Sequence, residues 1–442
     1  MNLEYTSELV FKVIQHMETI TLAPIKKISG EVALPGSKSL SNRALLLSAL
    51  AFGQTSLTNL LRSDDTERMV TALRQLGVNI ELNENWSECT VTGTGGLFAA
   101  PAQRSFFLGN AGTALRPLTC ILALIPGEYK IDGDQYMRER PIEHLGDALI
   151  QLGARVHYDE MHGYPPLTIS GGHILGGKVT IPGNISSQFL TSLLLSLPLA
   201  AQDSSIKVVG EQVSKPYLKI TLDVMKQFGV TASHRDFQTF EIPGRQQYQS
   251  PGSYMIEGDA SSASYFFGAA AIGGDIRVTG LGSHSVQGDI AFVDVMEQMG
   301  ASVNISEKWI EVSSGPLHGI DIDLNHIPDA AMTVATVALF ASGKTRIRNI
   351  YNWRVKETDR LHAMATELRK LGAIVETGDD YIVIDPPEDL KSVSIDTYGD
   401  HRVAMAFSLA ALGNKEITIN DPGCTRKTFP NYFEVLESVS GH

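Results

Sequence analysis

Apolar and polar positions along this chain recur as one unit, six times, at intervals of about 70 to 75 residues: a polar turn, an apolar helix, then a strand. The turns are Pro35-Gly36-Ser37-Lys38-Ser39, Gly109-Asn110-Ala111-Gly112-Thr113, Gly183-Asn184-Ile185-Ser186-Ser187-Gln188, Gly258-Asp259-Ala260-Ser261-Ser262, Ile327-Pro328-Asp329-Ala330-Ala331 and Gly399-Asp400-His401-Arg402. The first five units contain a second helix ending in a large apolar residue, a glycine and a small residue, as in Leu76-Gly77-Val78 and Leu371-Gly372-Ala373. Glycine there is a helix stop, so the repeat is structural and not merely compositional.

Each unit reads strand, helix, strand, helix, then a pair of strands. The first is predicted as helix 39–51, strand 55–60, helix 66–76 and strands 79–81 and 89–92. The fourth is predicted as helix 261–272, strand 275–279, helix 290–299 and strands 302–305 and 309–312. First helices such as Ala44 to Leu50 and Ala330 to Leu339 are apolar nearly all round and should be buried. Second helices such as Asp359 to Lys370 are amphipathic and should face solvent on one side. This sorting places the chain in the mixed α/β class, with three-fold, solenoid-like domains in preference to one open sheet.

At 442 residues and 43% hydrophobic, the chain is long enough for two cored domains of three repeats. Halving the repeats puts an interdomain crossing near Tyr254 to Gly258. A formal net charge of -13 argues against nucleic acid or an anionic membrane as partner, so any anion site must be local. Cys89, Cys120 and Cys424 lack metal-ligand spacing and suit a reducing compartment; no metal is expected. There is neither an apolar run of membrane-spanning length nor a signal-peptide pattern at Met1 to Tyr5, so the cytoplasm is the expected location. The repeats begin beyond Met17, which makes residues 1–16 an expected appendage.

Six helix N-termini carry unpaired N–H groups and positive partial charge, a setting for phosphate and carboxylate. At the first turn, Lys38 and Ser39 start the helix and Arg43 follows on the Ser39 face. A lysine there opposes the helix dipole, which favours a ligand-binding role over simple capping by Ser39. The second turn offers two glycines for close backbone approach, with Thr113 as a cap, and Arg138 and Arg140 precede a helix with Pro141 in its first turn. The third offers Ser186, Ser187 and Gln188, with Ser214 and Tyr217 at the next helix; such residues also serve as caps. The fourth, Asp259 to Ser262, reads as structural capping. In the fifth, Asp329 is expected just inside the helix, and Arg354, Lys356, Glu357, Asp359 and Arg360 cluster in the companion segment. The sixth pairs His401 with Arg402, and Arg426-Lys427 precede a last helix.

The segments LPGSKSLSNRALLL, LGNAGTALRPL, RERPI, SSQFLTSLLL, EGDASSASYF, NHIPDAAMT, YNWRVKETDRL and DHRVAMAFSL, taken together, resemble the 5-enolpyruvylshikimate-3-phosphate synthase family of enolpyruvyl transferases, from about Ile20 to the C-terminus. The resemblance implies two domains, each an inverse α/β barrel of three βαβαββ repeats, with the active site in the interdomain cleft. Residues 37–256 would form an inserted domain, and residues 1–36 with 257–442 a discontinuous one. It implies a shikimate 3-phosphate set of Lys38, Ser39, Arg43, Ser186, Ser187, Gln188, Ser214, Tyr217, Asp329, Asn352 and Lys356. The implied phosphoenolpyruvate set is Lys38, Asn110, Gly112, Arg140, Gln188, Glu357, Arg360, His401, Arg402 and Lys427.

The implied reaction is attack by the 5-hydroxyl on C2 of phosphoenolpyruvate with protonation at C3, then loss of phosphate from a tetrahedral intermediate. Asp329, kept ionised by Lys356, is expected to take the hydroxyl proton, and Glu357, its pKa raised by bound anions, to serve C3. Lys38 and Lys356 compete for these roles. The resemblance further implies a monomer without cofactor that closes on its ligands and is inhibited by glyphosate. A UDP-sugar enolpyruvyl transferase is the nearest alternative, although SKPY and KETDR argue against it. An RNA 3′-phosphate cyclase is disfavoured by the acidic balance, and a non-catalytic anion-binding protein leaves Asp329 and Glu357 unexplained.

Overall fold

The computed structural model describes residues 18–99 and 104–442. The expected appendage at residues 1–16 lies outside them. The described chain divides into two compact units: Gly36–Glu257, and the residues up to Pro35 with Gly258–His442.

Six first helices form the interior of these units. In Gly36–Glu257 they are α1 (Lys38–Leu50), α2 (Gly112–Leu124) and α3 (Ser187–Ser196). In the other unit they are α4 (Ala260–Gly273), α5 (Ala331–Val337) and α6 (His401–Ser408). In α1 every residue but Ser39 is buried, as the all-round apolar sequence requires. Each fully buried leucine, such as Leu45 or Leu47, contributes roughly 1.5–3 kcal/mol.

Among the described residues, strands form six small sheets instead of one open sheet. Within a repeat the strands flanking a first helix pair in parallel, as Ser105–Phe107 and Gly127–Asp132 do around α2. The second of them then pairs antiparallel with a hairpin, here Leu167–Gly171 and Arg155–Tyr158. The parallel pairing follows from a helical crossover, the antiparallel pairing from a short turn. Where the chain crosses between units the leading strands are exchanged. Lys27–Ala33, which precedes α1, pairs with Gly274–Thr279 after α4. Ser253–Met255, which precedes α4, pairs with Gln54–Thr58 after α1. The sixth sheet is completed by the N-terminal strand Thr19–Leu22 on Ile417–Asn420.

Several local expectations are corrected. Helix 290–299 begins as a one-turn 3-10 helix, Gly288–Ala291, and becomes α-helical at Phe292. Asp329 lies in the turn before α5, not inside it, because its carboxylate is drawn to cations of other segments. Pro141 stands outside the helix Glu143–Gln151, whose N-cap is Ile142. Thr113 is within α2 and does not cap it; its Oγ1 accepts from Asn42 Nδ2 at 2.7 Å. Arg426 and Lys427 end a 3-10 helix, Pro422–Lys427, ahead of the helix Tyr432–Val439.

Candidate active site

In the unit Gly36–Glu257, three helix starts hold the predicted residues. Ser37 is the N-cap of α1 and makes no side-chain cap, nor does Ser39 occupy the cap position; Lys38 is the first helical residue. Lys38 is buried, with Nζ 3.7 Å from the buried carboxylate of Asp65. Arg43 is also buried, yet its hydrogen bonds go to neutral oxygens: Ser39 O at 2.9 Å, Thr221 Oγ1 at 3.0 Å, Thr191 Oγ1 at 3.4 Å and Tyr217 O at 3.4 Å. Burial pulls its pKa down to about 10, which leaves it charged at neutral pH.

The start of α2 collects a second set. Arg140 Nη1 donates to Asn110 Oδ1 at 2.8 Å and to Asn110 O at 3.2 Å. Arg138, its partner in the sequence pair, is half exposed and engaged with Asp132 and Glu160, so it is a surface ion pair. Gln188, at the start of α3, accepts at Oε1 from Arg116 Nη1 at 2.6 Å. A methyl added at Gly112 would meet Arg116 Nη1, Arg140 Nη2 and Gln188 Oε1, so this glycine lets two guanidiniums and an amide converge. Ser186 is used as the N-cap of α3, accepting from Gln188 N at 3.2 Å, while Ser187 is buried in its first turn. Ser214 is buried in a left-handed conformation, φ 54°, ahead of the helix Lys215–Gln227, which also carries Tyr217. A small cavity bordered by Asn42, Arg43, Gly112, Thr113, Gln188 and Thr191 joins the two sets.

In the other unit the predicted residues form one ionic cluster around Asp329. Its Oδ1 is 2.8 Å from Arg360 Nη1 and 3.7 Å from Lys356 Nζ, and its Oδ2 is 3.0 Å from Arg402 Nη2. Burial alone would raise this carboxyl, but the charges of Arg402, Lys356 and Arg360 overcome it and hold it well below the usual range. The expectation that Lys356 keeps Asp329 ionised is thus enlarged: three cations do so. Glu357 Oε2 is 2.9 Å from Arg360 Nη2, and its Oε1 is 3.7 Å from Lys427 Nζ. Arg360, buried, also binds Asp400 through Nε at 2.7 Å; desolvation opposes its charge, and Asp400, Glu357 and Asp329 more than restore it. His401 is wholly buried, Nδ1 lying 3.4 Å from Asp400 Oδ1. Asn352 is buried in the short 3-10 helix Tyr351–Val355. Burial lowers the Lys356 pKa, opposed first by Asp329.

Sequence reasoning missed Arg116, Asp65 and Asp400 as members of these clusters. Arg116 was legible, because it lies four residues beyond Gly112 and so on the same helix face. Asp400 was legible only as the cap it also is, accepting from Arg402 N at 2.9 Å; its partner Arg360 is forty residues away in sequence. As expected, Asp259 caps α4 by accepting from Ser262 N at 3.0 Å. Among the described residues no group of three or more His, Cys, Asp or Glu side chains could hold a metal ion, and no helix is long and apolar enough to cross a membrane.

The arrangement amounts to buried cations with donors at helix starts, plus two carboxylates sharing a guanidinium. Residues 22–436 match the sequence model of a family described as EPSP synthase (3-phosphoshikimate 1-carboxyvinyltransferase). The chain is 59% identical over 424 residues to the 3-phosphoshikimate 1-carboxyvinyltransferase of Aeromonas salmonicida, covering 96% of this chain and 99% of that one. It is 60% identical over 425 residues to the like-named protein of Tolumonas auensis, covering 96% and 100%. Among solved structures, an EPSP synthase from Acinetobacter baumannii superposes with a TM-score of 0.82 at 26% identity, covering 96% of this chain and 98% of that one. The fold is therefore the two-domain inverse α/β barrel that the resemblance implied, in agreement with the six repeats. With near-complete coverage by the family and by relatives at such identity, the chain belongs to the EPSP synthase (3-phosphoshikimate 1-carboxyvinyltransferase) family.

Proposed function

We propose that this enzyme transfers the enolpyruvyl group of phosphoenolpyruvate to the 5-hydroxyl of shikimate 3-phosphate and releases inorganic phosphate. The observation that carries the chemistry is the Asp329 carboxylate, ionised and buried among Arg360, Lys356 and Arg402. The relatives bear the name of this reaction, and none of those compared favours a UDP-sugar acceptor.

In the proposed mechanism Asp329 accepts the proton of the 5-hydroxyl as its oxygen bonds to C2 of phosphoenolpyruvate. Glu357, protonated once bound anions offset Arg360 and Lys427, gives a proton to C3. The tetrahedral intermediate then returns that proton to Glu357, the C2–O bond to phosphate breaks, and the enol ether and phosphate leave. Asn352 and Lys356 join Lys38, Ser39, Arg43, Ser186, Ser187, Gln188, Ser214 and Tyr217 on shikimate 3-phosphate. Lys38, Asn110, Gly112, Arg140, Gln188, Arg360, His401, Arg402 and Lys427 serve phosphoenolpyruvate, where the cations stabilise charge as it develops on carboxylate and phosphate. Lys38 also counters charge on the departing phosphate.

Glyphosate competes at the phosphoenolpyruvate residues in this reading. In this reading the enzyme works as a monomer. The free thiols of Cys89, Cys120 and Cys424 favour a reducing cytoplasm. The test is a coupled assay of phosphate release. Release should need both substrates and yield a product with two vinylic protons by NMR; release with a UDP-sugar acceptor alone would overturn the assignment.

A further inference from the structure

The helix Arg360–Lys370 buries a carboxylate that the proposed reaction does not use. Glu367 lies about two turns beyond Arg360, and its side chain is wholly excluded from solvent. Its Oε1 accepts from the Tyr398 hydroxyl at 2.7 Å; its Oε2 accepts from Asp396 N at 3.3 Å and lies 2.8 Å from Lys370 Nζ. A charge so buried is tolerated only with such partners, and two of the three come from the segment that leads into α6.

In that segment Asp400 N donates to Thr397 O at 2.8 Å, closing a turn whose central residues, Tyr398 and Gly399, have φ of 55° and 66°. Positive φ at both is the condition of a type I′ turn, which glycine, asparagine and aspartate dominate. A tyrosine there is strained, and it persists only where its surroundings hold it. The Glu367 carboxylate supplies the hold. Burial, and then the bond to Glu367, raise the Tyr398 pKa, so the hydroxyl stays a donor at neutral pH. Directly after the turn, Asp400 accepts from Arg360 Nε at 2.7 Å and Nη2 at 3.3 Å, and it caps α6 by accepting from Arg402 N at 2.9 Å. The helix Arg360–Lys370 therefore meets this turn twice, through Arg360 at its start and through Glu367 near its end.

We infer that Glu367 and Tyr398 are positioning residues for the proposed transfer, their bond holding the strained turn that sets Asp400 against Arg360 and Arg402 against Asp329. The inference rests on the function proposed above. Arg360 Nη1 and Arg402 Nη2 reach the two oxygens of Asp329 at 2.8 Å and 3.0 Å, so a shift of the turn moves one guanidinium relative to the other. Both arginines belong to the proposed phosphoenolpyruvate set. No residue of the shikimate 3-phosphate set lies on the turn or on the helix Arg360–Lys370, so a loosened turn should impair the first substrate and spare the second.

The test is steady-state phosphate release, with calorimetric binding of shikimate 3-phosphate, in wild type, Glu367→Ala, Tyr398→Phe and Tyr398→Asn. Tyr398→Phe keeps the ring and loses only the hydroxyl that Glu367 holds. Its kcat/KM for phosphoenolpyruvate should fall by about ten- to a hundredfold, the scale of a misplacement of about 1 Å, while the Kd of shikimate 3-phosphate stays within about twofold. Glu367→Ala should match it. Tyr398→Asn also loses the bond but puts asparagine before Gly399, the pair that type I′ turns favour, so the turn holds itself and kcat/KM should stay within about threefold of wild type. A bond that merely stabilises the fold demands the reverse order, since phenylalanine preserves more packing than asparagine. If Glu367→Ala does not fold, the two Tyr398 variants decide. An active wild type overturns the role of this pair alone if Tyr398→Phe matches it, if Tyr398→Asn is no better than Tyr398→Phe, or if shikimate 3-phosphate binding is lost in parallel. A wild type that releases no phosphate overturns the proposed function and this role with it.

Discussion

Arg360 Nη1 meets Asp329 Oδ1 at 2.8 Å although the arginine side chain is only 1% exposed, so the proposed base and a buried cation of the proposed phosphoenolpyruvate set are one unit. Removing the carboxylate outright would strip Arg360, Lys356 and Arg402 of a shared counter-charge and cost about 3–5 kcal/mol of stability. Asp329→Asn keeps the hydrogen-bond acceptor and is the cleaner probe. It should bind shikimate 3-phosphate within a few-fold of wild type while kcat falls by roughly 10²–10⁴. A kcat within threefold of wild type would take the proton-accepting role from Asp329.

Arg43 presents the opposite case, a buried guanidinium whose hydrogen bonds all end on neutral oxygens. Such a cation gains most from an incoming anion. Arg43→Ala should weaken shikimate 3-phosphate binding by about ten- to a hundredfold, the size expected for one charge-assisted contact. Thermal shift gives the check: shikimate 3-phosphate should raise the wild-type midpoint and leave that of the variant almost unchanged. Equal shifts would place Arg43 in the scaffold.

How far the sequence carried this reading depended on the distance over which each signal acts. The six inner helices and their turns were legible because periodicity and capping are local, and Asp259 was identified as a cap from its own four residues. Arg140 was singled out over Arg138 by the family resemblance, since both precede the same helix; tertiary packing buries Arg140 and leaves Arg138 on Asp132 and Glu160. The exchange of leading strands is not a local signal either and entered only through the resemblance, which groups residues 1–36 with 257–442: Lys27–Ala33 precedes α1 but pairs with Gly274–Thr279, some 240 residues on. Asp329 was expected just inside its helix because the apolar run from Ala330 follows it directly. Here ion pairs with Arg360 and Arg402, distant in sequence, decide its position instead.

Gly112 carries a prediction about inhibitor selectivity. Its φ needs no glycine, so the constraint is space: an added methyl would lie 2.9 Å from Arg140 Nη2 and 3.1 Å from Gln188 Oε1, besides touching Arg116. Gly112→Ala should displace the guanidiniums slightly and fill room beside them. Glyphosate, longer than phosphoenolpyruvate, should lose affinity by more than tenfold while KM for phosphoenolpyruvate rises less. Inhibition constants that stay equal to wild type would show that this turn does not line the pocket.

Asp289, which is buried, should leave a mark on folding stability that requires no substrate. Its carboxyl is raised to about 6 from a reference of 3.8, so the folded state holds this proton after the unfolded state has released it. Stability contributed by the protonated form is therefore lost as pH rises from about 4 to above 6, and ionised Asp289 is a net cost at neutral pH. Asp289→Asn removes the titration. Relative to wild type, the variant should gain on the order of 2–3 kcal/mol between pH 4 and pH 7, because each pKa unit corresponds to about 1.4 kcal/mol. Urea unfolding of both proteins across that range measures the difference. A stability gap that is constant with pH would mean that Asp289 titrates as an ordinary carboxylate, unaffected by burial or by Asp329.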